Sequence, residues 1–323
     1  MKKPDIIVIG ELNVDLILSG LPSLPVMGEC ALSGDMQFTL GSASAIFASN
    51  IAKLGANVGF VGKIGDDELG DFILRRLNAG KVNTSRVIRD AGAKTGICVS
   101  MSFPDDYAMV SYAGVRESFT PSDVDMDYTL QARHLHMSSY YLQPGMRKGC
   151  VELFHQAKDA GMTTSLDPDS DPSGEWDHSI FDLLEYVDVF LPNEKEALAI
   201  SKCGNLESAL DILDRRVGTV AIKTGRRGVW VRNQKKTVHA DAFKIGVVDT
   251  TGAGDSFNSG FIYQILRGAS LEKCTLWGNA CAAISTSRLG GTAGFPTRSE
   301  LEHFLRKNRI AITIKQDNSR GND

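Results

Sequence analysis

The chain has 323 residues, of which 42% are hydrophobic and 23% charged, and its formal net charge is −4. These proportions are typical of a globular protein and exclude a disordered chain, which would be poorer in apolar residues. A pI near 5.9 is unlike that of general nucleic-acid-binding proteins, which are basic, so no nucleic-acid partner is expected.

Short apolar runs alternate with helical patterns along the chain. The runs predict buried strands at residues 6–9, 58–61, 134–137, 163–166, 187–191 and 220–222. Helical patterns lie between them at residues 44–54, 68–78, 147–160, 194–201 and 206–216. This alternation predicts an α/β fold with a mostly parallel, doubly wound sheet and helices on both faces. Ligands bind beyond the carboxyl ends of the strands in such sheets.

Two stretches interrupt the alternation. Residues 16–39 contain two prolines and three glycines, and residues 96–114 have a hairpin pattern around a turn at 104–106. Strands from about 12–40 and 95–115 are therefore predicted to form a small second sheet, a lid over the main one. Residues 1–323 are predicted to be a single domain, since no linker is visible. Pairing two lids would cover their exposed edges, so a homodimer through the lid is expected.

The sequence also bears on the location of the protein. The apolar run at residues 6–9 is shorter than the core of a signal peptide. No stretch approaches the roughly 18 apolar residues of a membrane span, so no membrane partner is expected. Six scattered cysteines without a Cys-x-x-Cys pair predict reduced thiols in a cytoplasmic protein.

The strongest candidate site is the string Asp249-Thr250-Thr251-Gly252-Ala253-Gly254-Asp255-Ser256-Phe257, which opens a helical pattern. Gly252 and Gly254 have no side chain, so the backbone can turn sharply and approach a ligand. The free N–H groups and the dipole of a helix start form an anion site. Asp255 would repel an anion there, but it suits a general base that accepts a proton from an attacking hydroxyl. A capping Asp in a Gly-rich turn is the structural alternative.

The wider string resembles the C-terminal signature of the ribokinase-like sugar kinases, the PfkB carbohydrate kinase family. Other segments resemble further family motifs. Residues 41–55, followed by 62–70, resemble the N-terminal signature region, residues 192–196 the Asn-x-x-Glu motif, residues 223–228 the nucleotide-side glycine loop, and residues 10–15 the first strand end. The resemblance covers most of the chain. It implies a ribokinase-like fold and an ATP-dependent phosphotransferase, with ATP and Mg²⁺ as cofactors and a small sugar as the acceptor.

By this resemblance Asp255 is the catalytic base, and Gly252, Ala253 and Gly254 complete an anion hole with it. The amides of residues 253–255 would stabilise charge on the transferring phosphoryl group. Phosphoryl transfer depends mainly on positioning and charge stabilisation, which agrees with this assignment. The chain contains no Gly-x-x-x-x-Gly-Lys-[Ser/Thr], so it is not a P-loop kinase. No Gly-x-Gly-x-x-Gly follows a strand, which disfavours a dinucleotide-binding fold.

Asn193 and Glu196 follow an apolar run and lie on one helical face. An amide and a carboxylate there can hold a hydrated Mg²⁺ beside the phosphates. An ordinary helix start with acidic first-turn residues is the alternative. The resemblance places the nucleotide against four further residues: Lys223, Gly225, Gly228 and Asn279. The alternative for the glycine loop is an ordinary hairpin turn.

Asn13 and Asp15 are candidates for the sugar side, together with Gly41. Residues two apart on an extended segment face the same way, and an amide with a carboxylate can bind adjacent hydroxyls. A surface turn is the alternative. Asp249 and Thr251 resemble the family's monovalent cation site, which carbonyls of residues 286–291 would complete, so K⁺ is a further candidate cofactor.

Four positions depart from the family pattern on the sugar side. Leu40-Gly41 stands where relatives usually have Gly-Gly, and Ala45 stands where they usually have Asn. Asp169 and Asp171 stand where relatives that act on acidic keto-sugars often carry Asn and Arg. Aspartates repel a carboxylate, so the expected acceptor is the hydroxymethyl group of a neutral sugar or polyol.

Two alternatives remain open from the sequence. One is a nucleoside kinase of the same fold, in which aromatic residues would stack on a base; the candidates are Phe47, Phe103, Tyr107 and Tyr112. The other is a non-catalytic sugar-binding regulatory protein, which the Leu40 and Ala45 departures favour. Retention of Asp255, Asn193 and Glu196 argues against it, because a binding protein needs no base. His134 and His136 share a strand face, but two histidines without a third ligand are expected to be core residues.

Overall fold

The structure is a computed structural model and describes residues 3–103, 107–234 and 236–316. Its strands are β1 Ile6–Ile9, β2 Asn13–Ser19, β3 Asp35–Leu40, β4 Val58–Gly65, β5 Asn83–Asp90, β6 Gly96–Ser102, β7 Tyr107–Tyr112, β8 His134–Met137, β9 Thr163–Leu166, β10 Val189–Phe190, β11 Thr219–Lys223, β12 Val229–Asn233, β13 Lys236–Ala240 and β14 Ile312–Gln316. Its helices are α1 Ala43–Lys53, α2 Glu68–Ala79, α3 Met126–Thr129, α4 Pro144–Arg147, α5 Cys150–Asp159, α6 Ile180–Leu184, α7 Glu194–Ser201, α8 Leu206–Asp214, α9 Ala253–Ile265, α10 Leu271–Ser285 and α11 Arg298–Lys307.

Ten strands form the main sheet in the order β14-β13-β12-β11-β10-β9-β8-β1-β4-β5. From β11 to β5 all neighbours are parallel, whereas β12, β13 and β14 continue the sheet antiparallel. Side chains of β1 alternate between the two faces: Ile6 and Val8 pack with α1, α9 and α10, while Ile7 and Ile9 pack with α5 and α8. The sheet is therefore covered by helices on both sides, as predicted.

The predicted strands at residues 6–9, 134–137 and 163–166 coincide with β1, β8 and β9. The prediction of one continuous helix at residues 147–160 was wrong. Two helices lie there, because α4 ends before Gly149 and α5 begins after it. A side chain at Gly149 would place its Cβ 3.0 Å from the Pro121 ring. The break therefore coincides with a close approach of another segment, which no local pattern reveals.

Four strands form the second sheet in the order β3-β2-β6-β7, with β2 and β6 parallel and the outer pairs antiparallel. The two interrupting stretches supply all four strands, and the predicted turn at 104–106 lies outside the described residues. The edge strands expose Met36, Met109 and Val110. Closure of this sheet as a lid and a homodimer through it stay predictions, and sedimentation velocity would check the dimer. Among the described residues, no helix is long and apolar enough to cross a membrane.

A chain of hydrogen bonds runs through the buried centre of the main sheet. His134 contacts Thr163 Oγ1 and Ser165 Oγ, both at 2.7 Å, and His136 contacts the same Ser165 Oγ at 2.7 Å and Ser138 Oγ at 2.9 Å. The two histidines are thus satisfied core residues, as expected. Burial lowers the pKa of His134 to about 3, and it also lowers the pKa of His136.

His134→Gln is expected to change how the free energy of unfolding depends on pH. Above pH 6.5 His134 is neutral in both states, whereas between pH 6.5 and about 3 only the unfolded chain binds its proton. The free energy of unfolding of the wild type should therefore fall relative to the variant by about 1.4 kcal/mol for each pH unit below 6.5. Urea unfolding of both proteins from pH 7 to pH 4.5 measures this. A difference that stays constant with pH would contradict a neutral buried His134.

Candidate active site

The carboxyl ends of the parallel strands bring polar residues to one edge of the main sheet. Glu11 follows β1, Ser139 follows β8, Asp167 follows β9, Asn193 follows β10, and Lys223 ends β11. The start of α9 packs against this edge, beside Lys223. The site therefore lies where parallel α/β sheets bind ligands.

The glycine turn before α9 needs its first glycine for two reasons. Gly252 has φ 68°, in the left-handed region that side chains disfavour. A Cβ at this position would also lie 2.6 Å from the Cα of Gly291. The turn is thus held against the loop after α10, and a larger residue at 252 would separate the two.

The structure assigns different roles to the three amides that were predicted to bind phosphate. The Ala253 N–H donates to Thr250 O at 3.1 Å within the turn. The N–H groups of Gly254 and Asp255 have no acceptor in the described part of the chain. Two of the three amides are therefore without an acceptor in the protein, and a role of the Ala253 amide in binding phosphate stays a prediction.

Asp255 lies in the first turn of α9 and is surrounded by other carboxylates. Burial raises the pKa of Asp255 well above its ordinary value, and the negative charges of Asp167, Asp169 and Glu11 raise it further. Lys223 opposes this shift. A carboxylate whose pKa is raised is a stronger base and can accept a proton from a hydroxyl, as a general base requires.

Lys223 is the positive group of this cluster. Its Nζ donates to Asp167 Oδ2 at 2.7 Å and to Asn258 Oδ1 at 3.4 Å, and Asn258 Nδ2 donates to the same carboxylate. Burial disfavours the charge of Lys223, but Asp167 and Glu196 raise its pKa. A Cβ on Gly254 would lie 3.4 Å from this Nζ. The ammonium group therefore lies beside the free amides of the glycine turn.

Asp167 and Asn258 belong to the site but were not predicted. Asp167 immediately follows a predicted strand, a position that could have drawn attention to it. Asn258 is three residues after Asp255, on the adjacent turn of the helix, and is fully buried. Its partner is 91 residues away in sequence, so no local pattern connects them.

Asn193 and Glu196 form a reciprocal cap at the start of α7. The Asn193 N–H donates to Glu196 Oε2 at 2.7 Å, its side-chain amide donates to Oε1, and the Glu196 N–H donates to Asn193 Oδ1 at 2.9 Å. Burial raises the pKa of Glu196 to about 8, and Asp167 contributes to the rise. A cation would lower that pKa again. The carboxylate and its acidic surroundings fit a hydrated Mg²⁺.

An open cleft of about 610 Å³ is lined by Arg226, residues 241–245 and Val247. It lies next to the predicted glycine loop, because a Cβ on Gly228 would lie 2.8 Å from the carbonyl carbon of Asp241. Gly225 and Gly228 both have positive φ, 58° and 86°. Asn279 is buried, and its Nδ2 donates to Asp241 O at 2.7 Å and to Ala240 O at 3.3 Å. Asn279 thus fixes the end of β13 at the margin of this cleft.

The predicted sugar residues are in mutual contact. Asn13 Nδ2 donates to Asp15 Oδ1 at 3.0 Å, and a Cβ on Gly41 would lie 2.1 Å from that oxygen. Gly41 therefore leaves the space that the Asp15 carboxylate occupies. Burial raises the pKa of Asp15 to about 6, while the Asn13 hydrogen bond opposes the shift and Asp249 adds to it.

Asp249 connects the glycine turn to the loop after α10. Its Oδ1 accepts from the N–H and Oγ1 of Thr251, at 2.9 and 2.7 Å, and its Oδ2 accepts from the Gly290 N–H at 2.7 Å. The two segments proposed for a monovalent cation are thus adjacent. Within the described ranges, no group of three or more His, Cys, Asp or Glu side chains has the arrangement of a metal site.

The two aspartates that depart from the family pattern differ in position. Asp169 accepts a hydrogen bond from Ser139 Oγ at 3.0 Å, and the same hydroxyl lies 2.9 Å from Glu11 Oε1. Asp171 instead accepts from the N–H of Trp176 at 2.7 Å, within its own loop. Of the two, Asp169 is therefore the one whose charge acts on Asp255.

Residues 3–298 match the description pfkB family carbohydrate kinase. A 2-dehydro-3-deoxygluconokinase of Bacillus subtilis is 31% identical over 86% of this chain and 90% of its own length. A ribokinase of Staphylococcus aureus is 27% identical over 92% and 98% of the two chains. The structure of Arabidopsis thaliana ribokinase complexed with ribose and ATP superposes with a TM-score of 0.83 and 25% identity, over 94% and 99% of the chains. The predicted ribokinase-like α/β fold is thereby confirmed, and the chain belongs to the pfkB family of carbohydrate kinases.

Proposed function

We propose that this kinase transfers the γ-phosphoryl group of ATP to a hydroxymethyl group of a small neutral sugar or polyol, with Asp255 as the general base. One observation carries the proposal. A carboxylate of raised pKa lies at the start of α9, next to two amides without acceptors and beside the Lys223 ammonium. This combination can remove a proton from a hydroxyl while stabilising negative charge on a phosphoryl group.

In the proposed reaction, the acceptor O–H bond breaks and its proton passes to the carboxylate of Asp255. The acceptor oxygen forms a bond to the γ-phosphorus as the bond between that phosphorus and the ADP oxygen breaks. The amides of Gly254 and Asp255 and the ammonium of Lys223 donate to the phosphoryl oxygens during transfer. Asn193 and Glu196 would hold Mg²⁺ through water, and the ion would supply further positive charge to the phosphates.

The nucleotide is proposed to lie along the glycine loop of residues 225–228, with its base near Asn279. The acceptor would lie between Asp255 and the pair Asn13 and Asp15. K⁺ is proposed to bind between Asp249 and the carbonyls of residues 286–291, where it would hold the glycine turn against that loop. The hydrogen bond from the Gly290 N–H to Asp249 supports this position, because it already joins the two segments.

The carboxyl groups around the proposed acceptor position support a neutral acceptor. The pKa values of Glu11, Asp15 and Asp169 are raised first by burial and then by neighbouring carboxylates, so added negative charge is disfavoured there. A sugar carboxylate would add a further negative charge to this group. The Bacillus subtilis relative is named for a sugar acid, so substrate preference is expected to distinguish the two proteins.

A substrate panel tests the proposal. ADP formation from Mg-ATP is measured with ribose, fructose, 2-dehydro-3-deoxygluconate and adenosine as acceptors. A neutral sugar is expected to give the highest kcat/KM. The highest value with the sugar acid would overturn the neutral acceptor, and the highest value with adenosine would favour a nucleoside kinase. Sugar binding without ADP formation would favour a regulatory protein.

A further inference from the structure

A cavity of about 350 Å³ lies beside α11, between this helix, the end of α10 and the segment that follows β13. We call it the α11 cavity. Part of its wall is apolar and consists of Ile245, Ile284, Phe295 and Phe304. None of the residues proposed above to react or to hold Mg²⁺ lines it. A volume at the lower end of the range of ligand pockets suits a small organic molecule.

The rest of the wall carries mostly positive charge. Lys53, Arg288 and Lys307 line the cavity together with one histidine, and of the described lining residues only Glu300 is acidic. Within the described part of the chain, none of the three cationic side chains forms an ion pair. The Glu300 carboxylate instead accepts two hydrogen bonds of 2.7 Å from the residue that caps α11. The cavity is therefore cationic in a protein whose net charge is −4.

Two of these cations are close enough to affect each other. Burial lowers the pKa of Lys53, Glu300 opposes this shift, and the charge of Arg288 lowers the pKa further. The Lys53 ammonium donates to the carbonyl oxygen of Phe295, another residue of the cavity wall. Its position is thus fixed at the cavity. An anion bound there would relieve the repulsion between Lys53 and Arg288.

Two contacts connect the α11 cavity to the open cleft beside the glycine loop of residues 225–228, along which the nucleotide is proposed to lie. Ile245 lines both spaces. Phe304 packs against Phe243, which lines the open cleft, with the ring centroids 5.0 Å apart and the planes at 65°. A molecule in the α11 cavity would therefore contact one residue of the open cleft and the ring that supports another.

The α11 cavity also adjoins the loop after α10. Arg288 lines it, and two residues earlier Thr286 O accepts from the N–H groups of Val248 and Asp249 at 2.8 and 3.2 Å. Ile245 and Arg288 thus belong to two segments that hydrogen bonds already join. A ligand that contacts both residues would hold the two segments in this arrangement.

We propose that the α11 cavity is a regulatory site that binds a small organic dianion with an apolar body and thereby strengthens nucleotide binding. The apolar body packs against Phe295 and Phe304, and the negative groups pair with Lys53, Arg288 and Lys307. Because the ligand bridges the two segments, it favours their present arrangement, and a nucleotide that borders the same segments binds more tightly. The coupling rests on the nucleotide position of the proposed function, whereas the site itself does not.

The probe for the site is phthalate, an aromatic dianion without a phosphate group. Calorimetry with the full chain should show saturable binding. Malonate, which lacks the ring, and benzamide, which lacks the charge, should each bind at least about 10-fold more weakly. Lys307→Glu should weaken phthalate binding about 10-fold, since it replaces an attractive charge with a repulsive one.

Arg306→Glu is the matched control for Lys307→Glu. Both residues lie in the last turn of α11, so the two substitutions disturb the helix alike, but Arg306 does not line the cavity. The control should change the dissociation constant of phthalate by less than about twofold at physiological salt, where distant exposed charges are screened. Equal losses of affinity in the two variants would mean general charge attraction and would overturn the site.

The coupling is measured in both directions. Saturating phthalate should lower the dissociation constant of Mg-ATP about fivefold, and saturating Mg-ATP should lower that of phthalate by the same factor. Competition between the two would place phthalate in the open cleft and overturn the proposal, as would an unchanged affinity for Mg-ATP. If the wild type does not bind Mg-ATP at all, the proposed function fails instead. The phthalate affinities of the two variants then decide the site alone.

Discussion

Asp255→Asn should lower kcat by about 10³-fold, the usual contribution of a positioned general base. The amide has the same shape but cannot accept the acceptor's proton, so binding should survive while chemistry is lost. Stability should be retained or should increase, because the substitution removes a buried carboxyl whose pKa is raised by burial and by Asp167, Asp169 and Glu11. Single-turnover rates, ATP binding by calorimetry and urea unfolding measure these three properties.

The matched control for this variant is Asp171→Asn, because Asp171 hydrogen-bonds within its own loop. Its kcat should remain within about twofold of the wild type, since its hydrogen bonds stay within that loop and do not involve the groups proposed to react. Turnover by Asp255→Asn close to that of the wild type would remove Asp255 from the mechanism.

The same mechanism predicts the sign of the pH dependence. Only the carboxylate form of Asp255 accepts a proton, so kcat should rise with pH through the pKa of this residue. That pKa is raised, first by burial and then by Asp167. The acidic limb of the pH profile of kcat should therefore lie at a pH well above the ordinary pKa range of an aspartate. Asp167→Asn removes one of these charges and should move the limb to lower pH. If the acidic limb does not move, the charge of Asp167 does not affect the pKa of the base.

The glycine turn was predictable because its chemistry is local. Gly252, Gly254 and Asp255 are close in sequence, and a helix start with glycines is recognisable from the string itself. The strand–helix alternation likewise predicted the parallel part of the sheet. The antiparallel extension by β12, β13 and β14 was not predicted, because partly exposed strands such as β12 and β13 carry a weaker apolar pattern than strands buried on both faces.

The partners of the turn could not be predicted, because they arrive from distant parts of the chain. Asp167 and Asn258 meet Lys223 only after β9, α9 and β11 have been assembled. The use of the Ala253 amide within the turn also depends on a backbone angle at Gly252 that composition does not specify. Sequence thus indicated the group that is proposed to react, and packing determined the groups that adjust its charge.

Lys223→Met is expected to have the second large effect, on both stability and turnover. Removing one partner of a buried ion pair costs about 3–5 kcal/mol, because the other charge is left uncompensated. The Asp167 side chain is only 8% exposed and would be that charge. The acidic limb of kcat should move to higher pH, since Lys223 opposes the raised pKa of Asp255. Urea unfolding and the pH profile of kcat measure the two effects.

Lys158→Met is the matched control, because Lys158 Nζ pairs with Asp188 at 2.6 Å but both side chains are about one-third exposed, 33% and 34%. It should cost at most about 1 kcal/mol and leave kcat unchanged.

The double variant Lys223→Met with Asp167→Asn separates the two roles of the lysine. Removing both charges should recover most of the stability, since a neutral buried pair needs no compensation. It should not recover kcat if the ammonium also donates to the phosphoryl group beside Gly254. Recovery of kcat together with stability would mean that Lys223 serves only to neutralise Asp167, and the charge stabilisation during transfer would then rest on the two amides and the metal.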